Sequence, residues 1–187
     1  MLEKGHRYAI LALRLLVDAG VPARLVVVGQ GPLGAELQAL AEAEGSGERL
    51  HLPGLCDDVP RLLQACDILV GEGQGVALIE AMAAGRACVA SDNPAIAEIV
   101  EDGRTGLLAA PGDVRGLAAA LVSSCRDPNR AATLGAAARA HVMAHYDVDV
   151  VVRRLEQLYV DLLAARRLDQ GALGYTHANQ HSPPRGS

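Results

Sequence analysis

Two acidic residues with seven residues between them bracket a run of glycines: Glu72-Gly73-Gln74-Gly75-Val76-Ala77-Leu78-Ile79-Glu80. Gly73 and Gly75 leave backbone N–H groups uncovered just where apolar residues begin to recur at helical spacing. A helix N-terminus offers four unpaired donors and a partial positive charge, so it can hold phosphate without basic side chains. The flanking carboxylates repel phosphate and are suited to accept hydrogen bonds from hydroxyls on either side of it. A ligand with sugar, diphosphate and ribose in series fits that order of acceptor, donors, acceptor. An acid that favours the helix dipole, followed by a surface glutamate, fits the same spacing.

Other constellations compete with this one. Gly29-x-Gly31-x-x-Gly34 follows the apolar run Leu25-Val26-Val27-Val28 and matches a dinucleotide fingerprint by pattern. Pro32 stiffens that turn, however, and Leu52-Pro53-Gly54-Leu55 stands where an acid for a ribose belongs, with Asp57 further into the loop. A plain strand-to-helix turn explains the glycines as well as a nicotinamide or flavin contact does. His141 and His145 have the spacing of metal ligands on a helix. No third ligand lies near them in sequence, so both are expected to face solvent near the helix end and no metal is expected. Cys56, Cys66, Cys88 and Cys125 form no close pair, which favours reduced core thiols over a disulfide or metal framework.

These residues must be positioned by regular elements. Helical spacing over 6–19 ends at Gly20, and 25–28 reads as a buried strand. Further helices are predicted over 33–44, 58–65, 76–84 and from Asn93-Pro94 to about 100, with strands at 49–52, 68–70, 87–90 and 107–109. Helices alone follow, over 114–125, 128–144 and 148–167. Short apolar strands alternating with helices predict an α/β fold, a doubly wound parallel sheet whose ligands bind at the carboxyl ends of the strands. A single domain over 1–167 and a flexible tail over 168–187 are expected.

The composition agrees. Of 187 residues, 50% are hydrophobic and 21% charged, enough for a real core. With no Phe, no Trp and four Tyr, the chain has little with which to stack bases, and a net charge of −5 argues against binding a nucleic-acid backbone. Lys4 is its sole lysine. No apolar run approaches the ~18 residues needed to span a bilayer, and the first residues do not form a signal peptide. A cytoplasmic protein is expected.

Glu72-Gly-x-Gly-x-x-x-x-Glu80-Ala-Met-Ala-x-Gly85 resembles the E-x7-E signature of the retaining, nucleotide-sugar-dependent glycosyltransferases with the two-domain GT-B fold (glycosyl transferases group 1). Lys4-Gly5, Val28-Gly29-Gln30-Gly31-Pro32 and Leu52-Pro53-Gly54 with Asp57-Asp58-Val59 resemble further segments of that family. So do Glu98-Ile99-Val100-Glu101-Asp102-Gly103-x-Thr105-Gly106 and Pro111-Gly112-Asp113, in the family's order. The resemblance implies a Rossmann-like donor domain in which Glu80 takes the ribose hydroxyls and Glu72 holds the transferred sugar at the catalytic centre. It places the diphosphate on the N–H groups around Gly73, Gly75, Val76 and Ala77, helped by Lys4, and the nucleobase against Leu55. It implies no cofactor beyond the nucleotide-sugar substrate, and no metal. The acceptor, a glycan or lipid, would be bound by a domain absent from this sequence, and the family allows peripheral membrane association of the full enzyme. Two other functions remain at this stage: a dinucleotide-dependent oxidoreductase domain, and a non-catalytic remnant that only binds nucleotide sugar.

The resemblance also implies a first, central strand lying ahead of Met1. Without it, the strands at 25–28 and 68–70 each keep an unpaired edge in the core. Those strands close on each other, or another chain supplies the strand, or the sequence is a fragment of a longer enzyme, which is the expectation favoured here.

Overall fold

The computed structural model describes residues 5–71 and 75–177. In chain order it contains α1 (His6–Asp18), β1 (Leu25–Val28), α2 (Gly34–Ala43), β2 (Leu50–Gly54), α3 (Val59–Ala65), β3 (Ile68–Gly71) and α4 (Val76–Ala83). Then come β4 (Ala87–Ser91), α5 (Pro94–Ala97), β5 (Leu107–Ala109), α6 (Val114–Arg126), α7 (Pro128–His145) and α8 (Val148–His177). Strands and helices alternate as the periodicity predicts, and every strand pair is parallel. The fold is Rossmann-like α/β.

The sheet, however, is in two pieces. β1 pairs with β2, and β3, β4 and β5 pair in that order, with no ladder between β1 and β3 among the described residues. Of the outcomes expected for these two strands, closure on each other does not occur among the described residues. Burial follows the pairing. β4, with a neighbour on each side, is buried at all five positions. β1 and β3, with one neighbour each, are mostly half-buried, and Val26 of β1 is 39% exposed despite its apolar side chain.

α1 contributes to the cores of both pieces. Ile10 packs with Ala41 of α2 and Leu50 of β2. Ala12 and Leu16 pack with Val89 of β4 and Leu117, Ala118 and Leu121 of α6. In the middle of β4, the Cys88 thiol is pushed up to about 12 by burial. Cys88 is the core thiol that was expected, whereas Cys125 of α6 is exposed, and all four cysteines are free.

Helix starts and turns follow local chemistry. Asp58, Asn93 and Asp113 accept hydrogen bonds from the N–H groups of Arg61 (3.1 Å), Ile96 (3.1 Å) and Gly116 (2.9 Å), capping α3, α5 and α6. The segment Glu101–Gly106 is a structural turn. The fully buried Thr105 accepts from the Glu101 N–H through Oγ1 (2.8 Å), and Asp102 accepts from the Leu108 N–H (2.8 Å), setting the chain into β5.

By contacts the chain divides into two units, Met1–Ala144 and His145–Ser187. In the second, α8 runs to His177, beyond the end near 167 expected from its periodicity. The remainder of the predicted tail, 178–187, lies outside the described residues. Among the described residues, no helix is long and apolar enough to cross a membrane.

Candidate functional site

In a parallel α/β sheet the loops at the carboxyl ends of the strands are drawn together, and each leads into a helix. Here the starts of α3, α5 and α6 are occupied by their own caps, and α2 begins at Leu33 without a capping side chain. α4 also lacks one: its N-cap is Gly75, which brings no side chain to the end of the helix. The first helical bond, from the Ile79 N–H to the Gly75 carbonyl (2.9 Å), leaves the N–H groups of Val76, Ala77 and Leu78 outside the helix's own ladder. Leu78 is buried and anchors the turn, while Ala77 is exposed and Val76 is 69% exposed. An apolar first turn facing solvent, with donors outside the helix ladder and a positive dipole end, has the chemistry to hold an anion.

Any larger residue at Gly75 would have to displace the end of a neighbouring side chain. A Cβ at this position would come within 2.3 Å of Cδ1 of Ile99, which follows α5. The backbone of the α4 start therefore lies close against the Ile99 side chain.

Glu80 lies one turn further along α4 and is exposed. It lines a cleft of about 780 Å³ against α3, together with Val59, Leu63, Arg86 and Arg139. Arg86 donates to the carbonyls of Ala84 (3.3 Å) and Cys66 (3.2 Å), which precede β4 and β3, so this cation stands toward the amino ends of the strands and away from the α4 start. Sequence reasoning missed both arginines. Arg86 follows the glycine that ends α4, a position that fixes its backbone, but nothing in the sequence marks Arg139.

Leu55 stands on the loop between β2 and α3 and is 71% exposed, an apolar platform on the α3 side of the site. The turn beneath it is tied to the loop after β1 by the Gly29 N–H donating to the Gly54 carbonyl (2.7 Å), with Gly54 at φ 81. Leu55, Gly75, Val76, Ala77 and Glu80 thus all belong to elements at the carboxyl end of the sheets. Lys4, Glu72 and Gly73, the other residues predicted for this site, lie outside the described residues.

The rival constellations fare differently. A third glycine of a dinucleotide fingerprint is needed for close packing of helix on strand. Gly31 and Gly34 have nothing within 4 Å of an added Cβ, so that need is absent here. His141 does not face solvent as expected. Its side chain is only 13% exposed and its Nδ1 stands 3.5 Å from Glu101, because the middle of α7 packs on the turn before β5. His145 is exposed. Among the described residues no group of three or more His, Cys, Asp or Glu could hold a metal ion.

Comparison with known proteins gives the family and the fold. The family model described as "Glycosyl transferases group 1" matches residues 1–127. N-acetyl-alpha-D-glucosaminyl L-malate synthase of Bacillus anthracis is 30% identical over 147 residues, covering 76% of this chain and 39% of its own length. Among solved structures, sucrose-phosphate synthase from Thermosynechococcus elongatus superposes with a TM-score of 0.76 at 30% identity, over 87% of this chain and 43% of that one. HepE of Anabaena in complex with UDP gives 0.73 at 28% identity, over 87% and 45%. The chain spans about two fifths of the length of the curated relatives it matches.

Proposed function

This chain belongs to the glycosyl transferases of group 1, and we propose that it forms the donor half of such an enzyme, binding a nucleoside diphosphate sugar. The observation that carries this reading is the pairing of an uncapped, solvent-facing α4 start with a carboxylate one turn inside it. HepE, a structural neighbour at 28% identity, has been solved with UDP and with UDP-glucose.

In this proposal the diphosphate sits on the N–H groups of Val76, Ala77 and Leu78, helped by Lys4. Glu80 accepts hydrogen bonds from the ribose hydroxyls, Leu55 lies against the base, and Glu72 holds the transferred sugar. Transfer breaks the bond between the anomeric carbon and the diphosphate oxygen. The acceptor oxygen bonds to that carbon from the same face, and its proton passes to the departing phosphate oxygen, so configuration is retained and no protein base is needed. The chain's contribution is electrostatic: the α4 dipole and donors are preorganised where charge gathers on the leaving diphosphate. A glycan or glycoconjugate acceptor, bound outside this chain, completes the reaction.

The experiment is calorimetric titration of the chain with UDP-, GDP- and ADP-sugars and, in parallel, with NAD. Saturable binding of one nucleotide sugar with none of NAD is expected. Binding of NAD alone would overturn the assignment.

A further inference from the structure

Between α5 and β5 the chain from Ile96 to Gly106 is closed on itself by its own hydrogen bonds. The N–H groups of Ile99 and Val100 donate to the Ile96 carbonyl (2.9 Å each). Those of Arg104 and Thr105 donate to the Glu101 carbonyl (3.1 and 2.9 Å), and that of Gly103 to the Gly106 carbonyl (2.8 Å). The Glu101 N–H in turn donates to Thr105 Oγ1 (2.8 Å). Ile96, Val100 and Thr105 are at most 2% exposed. A segment whose donors are used internally and whose side chains anchor it in the core opens as one unit rather than residue by residue.

This unit touches the candidate site at one place and α7 at another. Ile99 lies against Gly75, the N-cap of α4. Two residues on, Glu101 faces α7: one carboxylate oxygen accepts from Arg104, and the other stands 3.5 Å from His141 Nδ1. Helix geometry puts the imidazole there. Leu134, Ala138 and Val142 form the buried stripe of α7, and His141 lies on it, one turn beyond Ala138. An imidazole with its proton on Nδ1 can donate to a carboxylate, which an aliphatic residue on the same stripe could not. The mostly buried His141 and the Arg104 guanidinium thus hold the Glu101 side chain from two sides.

We propose that His141 is a positioning residue for the donor site: by holding Glu101 from α7 it steadies the 96–106 segment and, through Ile99, the start of α4. The coupling runs through packed contacts, from imidazole to carboxylate, along one closed segment, and from Ile99 to the Gly75 backbone. Its effect on ligand binding rests on the reading of the α4 start as the diphosphate site; its effect on the α4 start itself does not.

The test compares the parent chain with His141→Ala, His141→Asn and Leu134→Ala. Asn keeps a donor where Nδ1 stands, and Leu134→Ala removes a buried side chain from the same helix two turns away. Amide hydrogen exchange without ligand reads the Thr105 N–H in the segment, and the Ile79 N–H that makes the first α4 bond to Gly75 (2.9 Å). The Leu117 N–H of α6, bonded to the Asp113 carbonyl (2.9 Å), is the reference. In His141→Ala, exchange at Thr105 and Ile79 should quicken roughly fivefold more than at Leu117, and His141→Asn should restore most of the difference. Leu134→Ala should move all three amides alike, as a general loss of stability does. Calorimetry with inorganic pyrophosphate should show roughly threefold weaker binding to His141→Ala only. Three results would overturn the proposal: faster exchange at Thr105 without Ile79, no restoration by Asn, or the same pattern in Leu134→Ala. A parent chain that binds no pyrophosphate would instead refute the diphosphate reading, and the Ile79 exchange rates would still decide whether His141 steadies α4.

Discussion

Replacing Glu80 with Gln removes one charge from the candidate site and little else. The residue is exposed, sits on a helix that its neighbours Leu78, Ala81 and Met82 anchor in the core, and Gln has nearly the same helix propensity. Stability should therefore be unchanged within about 0.5 kcal/mol. A hydrogen bond to a charged group contributes about 1.5–3 kcal/mol, and two ribose hydroxyls can donate to one carboxylate. Because Glu80 is solvated in the free protein, part of this is offset by its desolvation, leaving a loss of about 1.5–2.5 kcal/mol, or roughly 10- to 70-fold in affinity. Calorimetry with UDP and with inorganic pyrophosphate separates the parts: UDP binding should weaken by that factor, while pyrophosphate, which has no ribose, should bind both proteins alike. Equal UDP affinity for parent and Glu80→Gln would refute the ribose assignment. Equal weakening for both ligands would mean that Glu80 acts through the α4 start instead.

Further expectations follow from the packing around the site. Gly75→Ala should destabilise the fold by about 1 kcal/mol, because the new methyl group drives Ile99 off its rotamer. Ile99→Val, which removes the clashing Cδ1, should recover most of that in a urea double-mutant cycle, and strict additivity would show that the contact is not the cause. Thr105→Val should cost about 1–2 kcal/mol in urea unfolding by leaving the Glu101 N–H without its acceptor, with Thr105→Ser costing less. The Cys88 thiol, raised from 9.0 to about 12, stays protonated in the fold while the unfolded chain ionises. This contribution is therefore fully present below about pH 9 and is lost as pH rises toward 12, at about 1.4 kcal/mol per pH unit. Cys88→Ala should lose that part of the slope, and an unchanged slope would count against the burial of the thiol.

What could be read in the sequence was local, and so was what the structure returned with little change. Val-rich β1, the Asn93-Pro94 start of α5 and the glycine after α4 carry their own backbone preferences, so the elements fall where their periodicity puts them. The α4 start was legible for the same reason, since glycine before an apolar helical run leaves donors bare. Features set by distant chain were not legible. His141 reads as a surface residue of a helix and becomes mostly buried only because α7 lies on the Glu101 turn. Arg86 is fixed by carbonyls of residues 84 and 66, a pairing that no sequence interval announces. Capping side chains occupy the starts of α3, α5 and α6, whereas α2 and α4 begin at Leu33 and Gly75 without one. Asp58, Asn93 and Asp113 were all visible, but each could equally have been read as an ordinary turn residue.

The central claim is that the α4 start receives the diphosphate of a nucleotide sugar. Amide chemical shifts of the isotope-labelled chain, followed through a titration with UDP, test it most directly. The account predicts that the largest changes fall on the N–H groups of Val76, Ala77 and Leu78, with smaller ones at Glu80 and Leu55, and that inorganic pyrophosphate reproduces the first set without the second. Changes centred instead on Gly29, Gly31 and Gly34, or no saturable change anywhere in the chain, would contradict it.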